Sequence, residues 1–258
     1  MARDYRTERE AHRLSVKRVL GRACAAQNNK QIVASRPQVG SRHPLNATRR
    51  TCQTLHVATG FTTHCGTIGV VPGDDIDTDR IIPARFLTRV SRSGYGELLF
   101  NDVRGPEFAL DQPEAAGSTI LVVGTNFGCG SSREHAVWAI QQAGYRAVIA
   151  KKTDTAPGYG DIFRQNAINC GLLLIELDPE SHQTVAGAGS GAEATVDLPN
   201  QVIQMGGKSV SFEMNSGVKD ALIEGLDLIG TTLRHQDEIA AYEARDQHFV
   251  PAKEGAAA

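Results

Sequence analysis

Residues 124–140 read GTNFGCGSSREHAVWAI, three glycines and a cysteine running into Ser-Ser-Arg-Glu-His and then an apolar stretch with helical spacing. A phosphate cradle, a cysteine nucleophile, a metal site and a carboxylate grip all use residues of these types. A Walker loop needs a lysine before its Ser or Thr, and none stands here; a dinucleotide loop needs a third glycine where Arg133 stands. Cys129 lies six residues before His135 across the start of a helix, which gives the two no reason to meet, and no G-x-S-x-G elbow surrounds Ser131. Arginine is the side chain whose planar fork matches a carboxylate with two hydrogen bonds. A bland role for Ser131 is a helix N-cap, which stabilises by about 1 kcal/mol.

A second stretch, DDIDTDRIIPARFLTR, places Asp77, Asp79 and Arg80 in one loop with Arg85 and Arg89 close behind. Such a run is usually a solvated turn. Beside another arginine that suits a carboxylate, it points to a dicarboxylate or tricarboxylate site.

The elements that must hold these residues are legible from apolar periodicity. GTIGVV (66–71) reads as a strand before the Asp-rich loop, and STILVVG (118–124) reads as a strand buried on both faces. Helix is expected from Ser131 to Gly144, with Gly128 and Gly130 allowing positive φ and close backbone approach ahead of it. The unpaired N–H groups of a helix start favour an anion. YRAVIA, DIFRQNAINC and LLLIEL then give strand, helix and strand, a parallel βαβαβ pattern. VDLPNQVIQM and KSVSFEM read as the two arms of a hairpin around Gly206-Gly207, and residues 220–246 read as amphipathic helix broken near Gly225 to Gly230. The expected class is α/β, layered, with a partly parallel sheet and an antiparallel hairpin extension.

Composition bounds the rest. The chain has 258 residues, 41% of them hydrophobic, enough for one large core. The formal charge of −2 hides a split: residues 1–65 carry 12 Lys and Arg against 3 Asp and Glu, a net of +9, leaving 15 against 26, a net of −11, for the remainder. The basic opening lacks the apolar block of a signal peptide, while Asp4, Glu8 and Glu10 are unusual in a transit peptide. Transit peptide, disordered basic arm and misassigned start remain open for residues 1–60, with the folded domain expected over 61–250 and a disordered tail over 251–258. Five scattered cysteines without a CxxC pair argue against a disulfide framework or a self-contained zinc or iron–sulfur site. No apolar run is long enough for a membrane span. No motif supports a nucleic-acid partner.

With their order in the chain, DDIDTDRIIPARFL, NFGCGSSREHAVWAI, DIFRQNAINCGLL and GLDLIGTTLRHQDEIAAYE resemble the small subunits of 3-isopropylmalate dehydratase in the aconitase superfamily. The resemblance spans about Phe61 to Tyr242 and rests most on GCGSSREH. It implies a swivelling β/β/α domain and a large partner chain, paired as heterodimer or heterotetramer, that carries the [4Fe–4S] cluster; no metal or cofactor is expected on this chain. The implied activity is a hydro-lyase step in leucine biosynthesis, interconverting 2-isopropylmalate and 3-isopropylmalate in the cytoplasm, or in an organelle if residues 1–60 are a transit peptide.

Residue by residue, the resemblance implies Ser131 as general base and Asp79 as an active-site acid. Ser132 and Arg133 would bind a substrate carboxylate, with Gly128, Gly130, Glu134 and His135 orienting the loop. The loop after Ile-Ile-Pro would select the substrate through Arg85, Thr88 and Arg89. Relatives that take a third carboxylate carry arginine where Thr88 stands, which favours a less charged substituent; the neighbouring Arg89 keeps homoaconitate or another alkylmalate open as an alternative. A non-catalytic carboxylate-binding module is a second alternative. The connection KKTDTAPGYG is longer than the tight family connection ending in Phe-Ala and lies where parallel strands bind ligands, so it bears on access to the site.

Overall fold

The computed structural model describes residues 60–245. The expectations for the basic opening up to residue 59 and for the tail over 251–258 concern residues outside those described.

Among the described residues, seven strands form one sheet. Strand β1 is Thr63–Val70, followed by the one-turn helix α1 at Thr78–Ile81; then come β2 (Ile120–Val123), α2 (Glu134–Gln142), β3 (Ala147–Lys151), α3 (Asp161–Asn169), β4 (Leu173–Leu177) and α4 (Pro179–Ala186). The antiparallel extension is β5 (Glu193–Asp197), β6 (Val202–Met205) and β7 (Lys208–Ser211), and the chain closes with α5 (Ser216–Glu224), α6 (Leu228–Leu233) and α7 (Gln236–Arg245). The sheet order is β4-β3-β2-β1-β5-β6-β7. Strands β1 to β4 pair in parallel, and β1 meets β5 antiparallel with His64 opposite Val196. The expected class is therefore the observed one, a mixed α/β sheet whose two halves meet at β1.

The parallel half is buried on both faces, which is why its strands read as unbroken apolar runs. Leu121, Val123, Val148 and Ala150 face one core with Ala136, Val137, Ala139 and Ile140 of α2 and Phe163 of α3. Ile120, Val122, Ala147 and Ile149 face the other, with Val185 of α4 and Leu222 of α5. Each such Leu, Ile or Val contributes about 1.5–3 kcal/mol by burial. The antiparallel half alternates instead, Ala194 and Val196 of β5 buried and Glu193 exposed, because only one of its faces meets a core.

Three expectations are corrected. The helix expected from Ser131 begins at Glu134, so Ser131 is not its N-cap; that position belongs to Arg133, in extended backbone at φ −129° and without a side-chain cap bond. The helix at Pro179–Ala186 is absent from the sequence reading, although Asp178 accepts from the N–H groups of Glu180 and Ser181 and a proline opens its first turn. The arm read as VDLPNQVIQM is two strands, because Leu198–Gln201 turns the chain back and Asp197 accepts from Asn200 N at 3.0 Å.

Candidate active site

Three chain segments leave the C-terminal ends of β1, β2 and β3 side by side, in the order of their strands. The middle one is the glycine loop. On the β1 side, Gly128 N donates to Ile76 O at 2.7 Å, Thr78 N to Cys129 O at 2.9 Å and the buried Thr78 Oγ1 to Ser131 O at 3.1 Å. On the β3 side, Phe127 N donates to Gly158 O at 2.9 Å and Gly160 N to Phe127 O at 3.0 Å. Short parallel bridges join Asp77 to Cys129 and Phe127 to Tyr159. The glycine loop is thus the central rib of a small three-stranded zip, at the end of the sheet where ligands bind in open α/β folds.

Glycine is required at two points of that rib. Gly128 has φ 74° and any Cβ there would overlap the ring of Phe163, while Gly130 has φ 91°. These turns let the backbone double back between its two neighbours, after which Gly130, Ser131 and Ser132 stand exposed.

The zip brings the Asp-rich loop onto the Ser-Ser-Arg segment. Arg133 forms an ion pair with Asp79 through Nη1, and its Nη2 lies 3.4 Å from Ser131 Oγ. The Arg133 side chain is 12% exposed and that of Asp79 53%. Nη1 is buried and, although close to Asp79, lacks an acceptor in hydrogen-bonding direction. A buried, imperfectly satisfied guanidinium beside an exposed serine is suited to accept an incoming carboxylate. The Arg133 guanidinium beside it holds the Asp79 carboxyl below its ordinary range despite some desolvation, with the Ala84 N–H acting the same way.

Glu134 and His135 face inward from the first turn of α2. Glu134 Oε1 accepts from Cys170 Sγ at 3.3 Å, and burial with this contact raises the Cys170 thiol to about 12. His135 packs against Trp138 and Tyr95 with ring centroids 4.6 and 5.3 Å apart. Burial lowers its pKa, with Arg133 and Arg92 adding to the shift and Glu134 opposing it, so the neutral imidazole is favoured.

Arg85, Thr88 and Arg89 lie on a separate exposed loop and make no described hydrogen bond to this group. Arg85 gives its fork to Asp102 and also donates to Asn101 at 3.0 Å. Thr88 Oγ1 donates back to Arg85 O at 3.4 Å, and Arg89 donates to Gly94 O at 3.2 Å with its guanidinium 5.9 Å from the Phe86 ring centre.

Sequence reasoning missed Thr78 and the Gly158-Tyr159-Gly160 turn as parts of the site's frame. Tyr159 is fully buried and donates toward Val148 O at 2.7 Å and Ile175 O at 2.9 Å. Gly158 N donates to Glu176 at 2.8 Å, whose carboxylate also holds Arg164. Glycines flanking an aromatic were the available signal. The extra residues of the long connection close on themselves, Thr153 N donating to Ala156 O at 2.9 Å, while its last three support the glycine loop.

Comparison with known proteins bears on this geometry. Residues 58–180 match the family described as aconitase C-terminal domain, and residues 229–251 match the C-terminal domain of the 3-isopropylmalate dehydratase small subunit. The crystal structure of a 3-isopropylmalate dehydratase from Methanocaldococcus jannaschii is 30% identical, superposes with a TM-score of 0.51, and is covered over 99% of its chain by 70% of this one. The chain belongs to the family of 3-isopropylmalate dehydratase small subunits in the aconitase superfamily. The mixed sheet described above is that family's swivelling domain.

In this family member the described cysteines do not suit an iron–sulfur cluster. Cys65 sits against Thr195, Cys170 against Glu134 and Cys129 within the glycine loop; no group of three metal-binding side chains gathers among the described residues. Among those residues, too, no helix is long and apolar enough to cross a membrane.

Proposed function

We propose that the chain supplies the base-and-clamp half of a hydro-lyase site that interconverts 2-isopropylmalate and 3-isopropylmalate through the unsaturated dicarboxylate, in leucine biosynthesis. The carrying observation is that one arginine, Arg133, touches both the exposed hydroxyl of Ser131 and the carboxylate of Asp79.

In this reading Ser131 Oγ, as its alkoxide, takes the proton from the carbon beside a substrate carboxylate. Arg133, whose Nη2 lies 3.4 Å from Ser131 Oγ, lowers the energy of that anion. The Nη2 side of Arg133 and the hydroxyl of Ser132 receive the carboxylate, while the ion pair with Asp79 holds Nη1. Glu134 and His135, locked by Cys170 and by the Tyr95–Trp138 cluster, set the orientation of the loop. Thr88 and Arg89 face the distinguishing substituent; Arg85, its fork filled by Asp102, adds charge and stiffness to that loop.

The exposure of Gly130, Ser131 and Ser132 is what half of a shared site would have. The other half is a large subunit, which supplies the [4Fe–4S] cluster and with it the binding and release of the substrate hydroxyl. No step assigned to this chain passes through the cluster. The charge of Arg89, which stands beside Thr88 and has no carboxylate partner among the described residues, supports a second reading, a related hydro-lyase that takes homoaconitate or another alkylmalate.

The experiment is co-expression with an isopropylmalate-type large subunit and measurement of the ultraviolet absorbance of the unsaturated intermediate. The wild-type pair turns over isopropylmalate, and Ser131→Ala lowers the rate by about 10²–10⁴, the usual worth of a positioned base. Full activity in Ser131→Ala removes the base assignment; preference for homoaconitate selects the second reading.

A further inference from the structure

Helix α2 carries Arg133 at its start, and its last residue does a second job. Gln142 is exposed, yet both ends of its amide are engaged: Nε2 donates to Arg92 O at 2.8 Å and Oε1 accepts from Tyr95 N at 2.9 Å. These partners belong to the loop that carries Thr88 and Arg89. The same loop lays the Arg92 guanidinium 5.1 Å from the Trp138 ring centre, and Tyr95 packs edge-on against Trp138 at 5.7 Å. At Gly96 a Cβ would meet the Gln142 carbonyl at 2.5 Å, so the loop backbone rests directly on the end of the helix.

We infer that Gln142 is a positioning residue for substrate selection, its amide tying the 88–96 loop to the helix whose other end presents Arg133. The inference rests on the proposed reading of Thr88 and Arg89 as substrate-facing. Two hydrogen bonds to backbone are satisfied by one planar group that can donate on one side and accept on the other. Asparagine is one methylene too short to hold both, glutamate keeps the acceptor for Tyr95 N–H and loses the donor to Arg92 O, and alanine loses both. Because Gln142 is exposed, the bonds govern how often the loop is docked more than whether the domain folds; exposed bonds of this kind are worth roughly 2- to 10-fold in such a population.

The test uses the chain reconstituted with a large subunit and sets wild type, Gln142→Ala and Gln142→Glu side by side on isopropylmalate and on the smaller methylmalate. Gln142→Ala is expected to raise KM for isopropylmalate about 3- to 10-fold, with a smaller change in kcat, and to narrow the preference between the two substrates; Gln142→Glu falls between. Trypsin acting on the full chain alone is expected to cut after Arg89 and Arg92 several-fold faster in Gln142→Ala. Unchanged KM and preference in an active Gln142→Ala enzyme overturn the proposal, as does a change wholly accounted for by lower thermal stability. A wild-type pair inactive on every alkylmalate overturns the functional reading and the selection role with it, while trypsin still reports on the clamp by itself.

Discussion

The glycine loop and the 84–96 loop lie next to one helix and are held in opposite ways. The first is paired on both flanks by backbone hydrogen bonds, with Phe127 and Gly128 buried and Phe163 closing against it. The second is tied by side chains at the surface: the Arg85–Asp102 pair, the Gln142 amide and the stacking of Arg92 on Trp138, with Val90 wholly exposed at its tip. In the proposed reading, proton transfer needs its base within tenths of an ångström, which backbone pairing would supply, and selection among related substrates needs a surface that changes without disturbing the fold, which a loop pinned by side chains would supply.

The sharpest way to break this contrast is Gly128→Ala. A methyl at φ 74° meets both backbone strain and the Phe163 ring. A loss of about 2–4 kcal/mol is expected in urea unfolding, with activity lost in the reconstituted pair. A fully stable variant would mean that the rib is not a constrained element.

Tyr159→Phe probes the support one layer out. Removing the hydroxyl takes a donor from two buried carbonyls, Val148 O and Ile175 O, and is expected to lower stability by about 1–2 kcal/mol while leaving KM unchanged. Burial holds this phenol well above its ordinary pKa.

At the boundary between the two loops, Asp79 reports on Arg133. Its folded-state pKa is depressed by the Arg133 guanidinium beside it, so the pair contributes stability above the ordinary carboxylate pKa and loses it as pH falls through the depressed value. Carboxyl NMR titration should show Asp79 moving up toward its ordinary range in Arg133→Met. An unmoved Asp79 would show that the ion pair is not formed in solution.

The smallest effect is expected at Arg85–Asp102. Both side chains are about half exposed, at 54% and 47%, so Asp102→Asn should leave the unfolding free energy nearly unchanged. The same change frees the Arg85 fork, and a shift in substrate preference without a shift in stability would confirm that this loop is tuned independently of the core.

The parallel half was legible because its signal is local. Continuous β-branched runs and helical spacing follow from burial on both faces, and the observed boundaries of β2, β3 and β4 lie within two residues of the predicted segments. The start of α2 was misplaced because serine is a good cap and the pattern gives no sign that Thr78 takes the Ser131 carbonyl from 53 residues upstream. The hairpin was misread because Leu198 and Val202 flank the turn with apolar residues that continue the strand pattern.

By itself, the sequence determined the α/β class and the glycine loop with its positive-φ positions, since residue type and spacing limit the backbone a segment can adopt, and its resemblance to a family proposed Ser131, Arg133 and Asp79 as a set. Only the tertiary structure decided that Asp79 and Ser131 share Arg133, that Arg85 is occupied by Asp102, and that the long connection after β3 supports the glycine loop. Those facts depend on which backbone groups are left unpaired at the ends of neighbouring strands, and parallel strands find their neighbours through contacts far apart in the chain.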